Sequence, residues 1–133
     1  MVIFQMCTPL DNADLDRVEQ ELGIVLPDDY KTQIASINGG ALPDAYTQVE
    51  PLGEIPYCRN VPLRREVRGN IYDLIECFND GTVTLFPFGS VGNGDYFCFD
   101  LTSNSVVLYL HEVQSTTPVC DTFTQLLDRL TEA

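Results

Sequence analysis

The residues of this chain that could do chemistry are concentrated in one stretch. From Phe88 to Leu101 it reads FGSVGNGDYFCFDL, with three glycines, two aspartates and a cysteine among aromatic residues, and the chain's one histidine, His111, follows shortly after. A dinucleotide loop would need G-x-G-x-x-G between a strand and a helix. Here the spacing is Gly89-x-x-Gly92-x-Gly94, and the residues that follow read as a strand. A P-loop would need Gly-Lys followed by Ser or Thr, and the segment contains no lysine. Without a helix N-terminus behind it, the loop lacks the aligned N–H groups and dipole that hold a phosphate. A calcium loop of the EF-hand kind would need alternating acids closed by a glutamate, which is absent. The glycines therefore read as turn residues between two strands.

The other catalytic patterns are incomplete. His111-Glu112 opens an H-E-x-x-H zinc motif, but Ser115 stands where the second histidine would be. Cys98 and His111 fall on neighbouring expected strands, yet no third residue at a telling spacing would orient the imidazole for a thiolate nucleophile. Asp95 and Asp100 lie five residues apart in one strand, so they face opposite sides and do not form a general acid–base pair. Each is expected to accept backbone N–H bonds at a turn. The five cysteines (Cys7, Cys58, Cys77, Cys98 and Cys120) are odd in number and show no CxxC spacing. That argues for reduced, mostly buried thiols and against a disulfide framework or a zinc site. No cofactor and no metal are expected.

Charge is the loudest compositional signal. Twenty acids stand against seven Lys and Arg, a net charge of -13. Binding nucleic acid by neutralising phosphates is not expected of such a chain, whereas a basic partner would be steered toward it. Arg59, Arg64, Arg65 and Arg68 cluster beside Glu66 alone. This basic segment reads as a solvated loop pairing with the protein's own acids, the other reading being a grip on a partner's carboxylates. No apolar run is long enough to span a membrane, and the start of the chain lacks the basic region of a signal peptide. A cytoplasmic protein is expected.

Periodicity and punctuation place these residues on elements. DNADLDRVEQELG reads as a helix capped by Asp11 or Asn12 and stopped by Gly23. A second helix opens at Pro27, carries Asp28 and Asp29 in its first turn and ends at Asn38-Gly39-Gly40. Residues 41–69 are broken by Pro43, Pro51, Pro56 and Pro62 and suggest loops with short strands near Gln48–Leu52 and Ile55–Cys58. Asn70 caps NIYDLIECF, an amphipathic helix. TVTLFPF reads as a strand until Pro87. In the next strand Phe97 and Phe99 point one way, Tyr96 and Cys98 the other. VVLYLHE returns, and Asp121 caps a last helix. Consecutive strands with short turns indicate an α+β domain, an antiparallel sheet flanked by helices, spanning 1–133 with its core over about 11–130.

LGIVLPDDYKTQIASINGG resembles the N-terminal signature of the SUKH superfamily (SMI/KNR-like domains), in which a Leu-Pro-x-x-aromatic step opens a helix that ends in Asn-Gly. LFPFGSVGNGDYFCFDL resembles the superfamily's central strand with Gly-Asp and a later aspartate, VVLYLHE the strand after it, and FTQLLDRL its closing helix. The matching positions are Leu26, Pro27, Tyr30, Asn38, Gly39, Gly94, Asp95, Asp100 and His111. The chain departs from many members in having no tryptophan. The resemblance implies a single-domain α+β fold and a binding role without catalysis. Bacterial members are typically immunity proteins that block toxins, many of them nucleases, and eukaryotic relatives include a yeast regulator of cell-wall glucan synthesis.

The expectation is a non-catalytic module that neutralises a basic toxin domain by occlusion. The alternative is a regulatory or scaffold module of the same fold, and a small enzyme is the third reading. The expected contact residues are Asp28, Asp29, Asp95, Tyr96, Asp100, Tyr109, His111 and Glu112. The partner's identity, the face that binds and the oligomeric state do not follow from the sequence.

Overall fold

A computed structural model describes residues 2–132. In chain order the elements are α1 (Asn12–Leu22), α2 (Asp28–Ile37), β1 (Ala45–Val49), β2 (Gly53–Pro56), β3 (Arg59–Asn60), α3 (Ile71–Phe78), β4 (Leu85–Ser90), β5 (Tyr96–Asp100), β6 (Ser105–Leu110), β7 (Ser115–Cys120), α4 (Phe123–Arg129) and β8 (Thr131–Glu132). The fold is mixed α+β. Strands β3-β4-β5-β6-β7 form one antiparallel sheet of five strands, and β2-β1-β8 form a smaller one of three.

Local chemistry explains the helix boundaries. Asp11 caps α1 with a reciprocal pair of bonds: Asp14 N–H donates to Asp11 Oδ1 at 2.8 Å, and Asp11 N–H donates to Asp14 Oδ2 at 3.0 Å. Gly23 closes α1 in the left-handed conformation at φ 68°. Asn70 caps α3 by accepting from the N–H groups of Tyr72 and Asp73. The last helix is capped by Thr122 rather than Asp121, with Gln125 N–H donating to the Thr122 hydroxyl at 3.1 Å.

The strands depart further from expectation. β4 does not stop at Pro87 but runs to Ser90, with its register to β5 shifting between Pro87 and Gly89. Proline lacks an N–H for the ladder, and the bulge lets pairing resume one residue later. The same device carries Pro118 inside β7, a Ser/Thr strand with no apolar alternation. Gly89 is a strand residue, not a turn residue. A Cβ there would come within 2.6 Å of Tyr57 Cζ and Oη, so the missing side chain is what lets the Tyr57 ring lie against the strand. Gly92 and Gly94, at φ 98° and 100°, are the true turn glycines.

One face of the large sheet, built by Phe86, Phe88, Phe97, Phe99 and Leu108, is fully buried. Tyr30 from α2 and Phe123 from α4 cover it, with rings 5.1 Å apart and both packed on Phe88 and Phe99. On the other face Cys98 is buried while Tyr96 and Tyr109 are half-buried, packed edge-on against Phe78 of α3.

Buried asparagines hold the irregular segments. Asn38 is fully buried; its Nδ2 donates to the Thr8 carbonyl at 3.0 Å and its Oδ1 accepts from Leu63 N–H at 2.9 Å. Asn60, equally buried, donates to the Ile37 carbonyl and accepts from the Tyr57 hydroxyl. A buried polar group left without its partner costs about 1–3 kcal/mol. Asn38→Ala is therefore expected to lower stability by about 3 kcal/mol in urea unfolding, because it strands both the Thr8 carbonyl and the Leu63 N–H.

Asp14 gives a pH signature. The Asp11 N–H and the Arg64 guanidinium, 2.9 Å away, hold its carboxyl below the usual carboxylate range against the opposing effect of burial. A carboxyl depressed on folding contributes stability that is present above the unfolded value of about 4 and lost as pH falls through the folded value. Asp14→Asn is expected to lower stability at neutral pH and to flatten the loss of stability below about pH 4, read from urea midpoints across pH.

Candidate functional site

The turn between β4 and β5 brings the chemistry-bearing residues together. Gly92 and Gly94 supply left-handed backbone, Val91 N–H donates to the Asp95 carbonyl at 3.1 Å, and Asp95 N–H donates to Asn93 Oδ1 at 3.0 Å. The loop thereby aims the Asp95 carboxylate across to the end of β6. There Oδ1 accepts from both the His111 N–H at 3.0 Å and His111 Nδ1 at 2.5 Å. A carboxylate is an acceptor only, so Nδ1 carries the proton in this pair. The ring lies against Gly94, where a Cβ would meet Nδ1 at 3.1 Å. Gly94, Asp95 and His111, dispersed in sequence, act as one latch closing the hairpin.

The same end of the hairpin carries Tyr96 and Tyr109, which are cross-strand partners, and exposed Glu112 and Val113. Asp100 lies at the opposite end of β5. Its Oδ1 accepts from Thr102 N–H at 3.0 Å and from the Thr102 hydroxyl at 2.6 Å, holding the next turn. Asp28 and Asp29 are on α2. The Asp28 side chain is 99% exposed with Lys31 3.7 Å away, whereas Asp29 Oδ2 accepts from the Thr124 N–H and hydroxyl and so ties α2 to α4. Asp95, Tyr96, Tyr109, His111 and Glu112 thus share one place, and the two α2 aspartates have separate roles.

A Cys98–His111 couple does not form. Cys98 is opposite Val107 in the ladder, its Sγ points to the Tyr96 carbonyl at 3.7 Å, and burial pushes the thiol well up. A nucleophilic cysteine needs the reverse shift, so this thiol is inert. Among the described residues no group of three His, Cys, Asp or Glu side chains is placed to hold a metal ion. Of the arginines, Arg64 binds Asp14, and Arg65 binds Glu21 at 2.8 Å while stacking 3.9 Å over the Tyr72 ring. Arg59 donates to the Gly39 carbonyl. Arg59, Arg64 and Arg65 thus brace α1, α3 and the exit of α2 with contacts inside the protein, while Arg68 is exposed.

A cleft of about 370 Å³ between the N-terminal segment, α2 and α4 had no sequence signal. Its apolar lining, Val2, Phe4, Ile37 and Leu127, comes from distant parts of the chain. Leu127 reads as a core residue by helical spacing, but it is half-buried at the cleft.

Thiol labelling separates these environments. Iodoacetamide is expected to modify exposed Cys77 in the folded protein and to leave buried Cys98 unmodified until denaturant is added, as read by peptide mass spectrometry.

Residues 9–129 match the model of the SMI1 / KNR4 family (SUKH-1). No curated protein matches the chain. The matched span starts just before α1 and reaches the end of α4, taking in every helix and the whole of the five-stranded sheet. The latched Gly-Asp hairpin, the Leu-Pro-x-x-Tyr entry to α2 and its Asn-Gly exit all fall within it, and the chain belongs to the SMI1/KNR4 family, SUKH-1.

Proposed function

We propose that this chain is a non-catalytic protein-binding module, an immunity protein that neutralises a cognate basic toxin by one-to-one occlusion. Family membership supports an immunity or regulatory role. The observation that carries the finer reading is the state of the charges. Arg17, Lys31, Arg64 and Arg65 already pair with Asp14, Asp28, Glu19, Glu21 and Glu66, so most of the twenty acids have no cation among the described residues. A net charge of -13 left unneutralised raises the encounter rate with a cationic surface, which is the demand on an antidote that must outrun its toxin.

The hairpin end supplies contacts suited to this task. Tyr96 and Tyr109 present half-buried rings backed by Phe78, so little rotamer freedom is lost on binding. Asp95 and Glu112 flank them, and Asp28 adds a charge on α2. Amphipathic anchors ringed by acids fit a target rich in Lys and Arg, such as a nuclease surface.

The test is co-expression with the product of the reading frame immediately upstream. That product alone is expected to arrest growth, and this protein to restore it. A harmless neighbour, or a toxic one that this protein fails to counter, overturns the immunity reading and favours a regulatory module. With the pair in hand, Tyr109→Ala is expected to weaken binding about tenfold, mainly through a faster off-rate, and added salt to slow association.

A further inference from the structure

The cleft between the N-terminal segment, α2 and α4 has the layout of a docking site. At about 370 Å³ it is larger than the clefts beside Tyr72, Tyr46 and His111, which measure about 210 to 250 Å³. Val2, Phe4, Ile37 and Leu127 make it apolar, and Thr32, Ser36 and Asp128 rim it with polar groups. An apolar centre inside a polar rim is the anatomy of a protein interface.

Its charge points to one kind of occupant. Among the described residues no Lys, Arg or His side chain lines the cleft. The nearby cations are engaged elsewhere, Lys31 with Glu19 and Asp28, and Arg129 with the Val119 carbonyl at 2.8 Å. Asp128 stands exposed at the rim. Asp28, Thr32 and Ser36 recur at a spacing of four along α2, so one stripe of that helix leads from an exposed carboxylate into the cleft. The other wall is formed by Val2 and Phe4 of the N-terminal segment. That segment is pinned to the body through the Gln5–Ala41 bridge and the edge-on contact of Phe4 with Tyr57.

We propose that this cleft is a second docking surface, which seats an apolar side chain of a protein partner flanked by lysine or arginine. The inference rests on the protein-binding reading and adds a face to it. The cleft would hold the apolar anchor while Asp128 at its rim engages the neighbouring cation. Two of the other clefts suit this occupant less well, and a third is the hairpin-end site already described, lined by Asp95, His111 and Glu112. The one beside Tyr72 is lined by Arg17, Arg64 and Arg65, and the one beside Tyr46 by Arg129.

The test needs no toxin. An amphipathic peptide of leucine and lysine, titrated into isotope-labelled protein, is expected to shift the NMR resonances of Val2, Phe4, Ile37 and Leu127 saturably. Ser36→Arg fills and charges the cleft from an exposed position, and is expected to weaken binding at least about tenfold. Asp128→Lys is expected to weaken the leucine–lysine peptide and to improve binding of a leucine–glutamate peptide. Three results would overturn the proposal: no saturable binding, shifts spread over the acidic surface without the cleft resonances, or equal affinity in Ser36→Arg. Failed growth rescue would instead overturn the immunity reading, so the two are separable.

Discussion

The structure depends on the burial of Tyr30. Its ring sits 5.0 to 6.0 Å from the rings of Phe86, Phe88, Phe99 and Phe123, mostly edge to face. Aromatic side chains each bury about 150–250 Å², and such pairs add roughly 0.5–1.5 kcal/mol beyond area. Seating Tyr30 there places α2 on the sheet and against α4 at once. Its hydroxyl has no partner among the described residues, so ring burial outweighs the cost of a desolvated donor. The proline before α2 and the two aspartates in its first turn start the helix where that ring can reach the sheet.

With α2 fixed, the segments around it need backbone partners, and the buried asparagines provide them. Asn38 and Asn60 reach the N-terminal segment, the exit of α2 and the start of the basic loop, none of which belongs to the large sheet's interior ladder. Asn79 does the same at the end of α3, donating to the Ile75 and Leu85 carbonyls and accepting from the Thr84 and Leu85 N–H groups. An amide side chain offers both a donor and an acceptor, so one residue can join two strands of irregular chain. This frees the surface acids from structural duty in most places. Asp11, Asp14, Glu19, Asp29, Asp95 and Asp100 are exceptions, each holding a helix, turn or hairpin in position.

Legibility followed the range of the forces involved. The helices were readable because caps and periodicity act within a few residues: Asp11, Gly23 and Asn70 stand where expected. The last cap moved from Asp121 to Thr122, a one-residue shift in a helix only seven residues long. β3 and β7 left little trace because one is two residues long and the other is a Ser/Thr strand interrupted by proline. Gly89 was misread because its requirement comes from Tyr57, far along the chain, and not from its own dihedral angles. Of the contact candidates, the grouping at the hairpin end followed from strand register, while the internal role of Asp29 depended on α4.

The sequence by itself determined the class of fold, the starts of the first three helices, the two-faced β5 strand, the acidic surface and the lack of a recognisable catalytic motif. These follow from composition, periodicity and local hydrogen bonding, which each segment carries with it. Only the tertiary structure decided that Asp95 latches His111, that Asp29 binds α4, that Arg59, Arg64 and Arg65 are engaged internally, and that Val2, Phe4, Ile37 and Leu127 meet in one cleft. Each joins residues far apart in the chain, and such partners are chosen by how α2 and the sheet share their buried aromatic face.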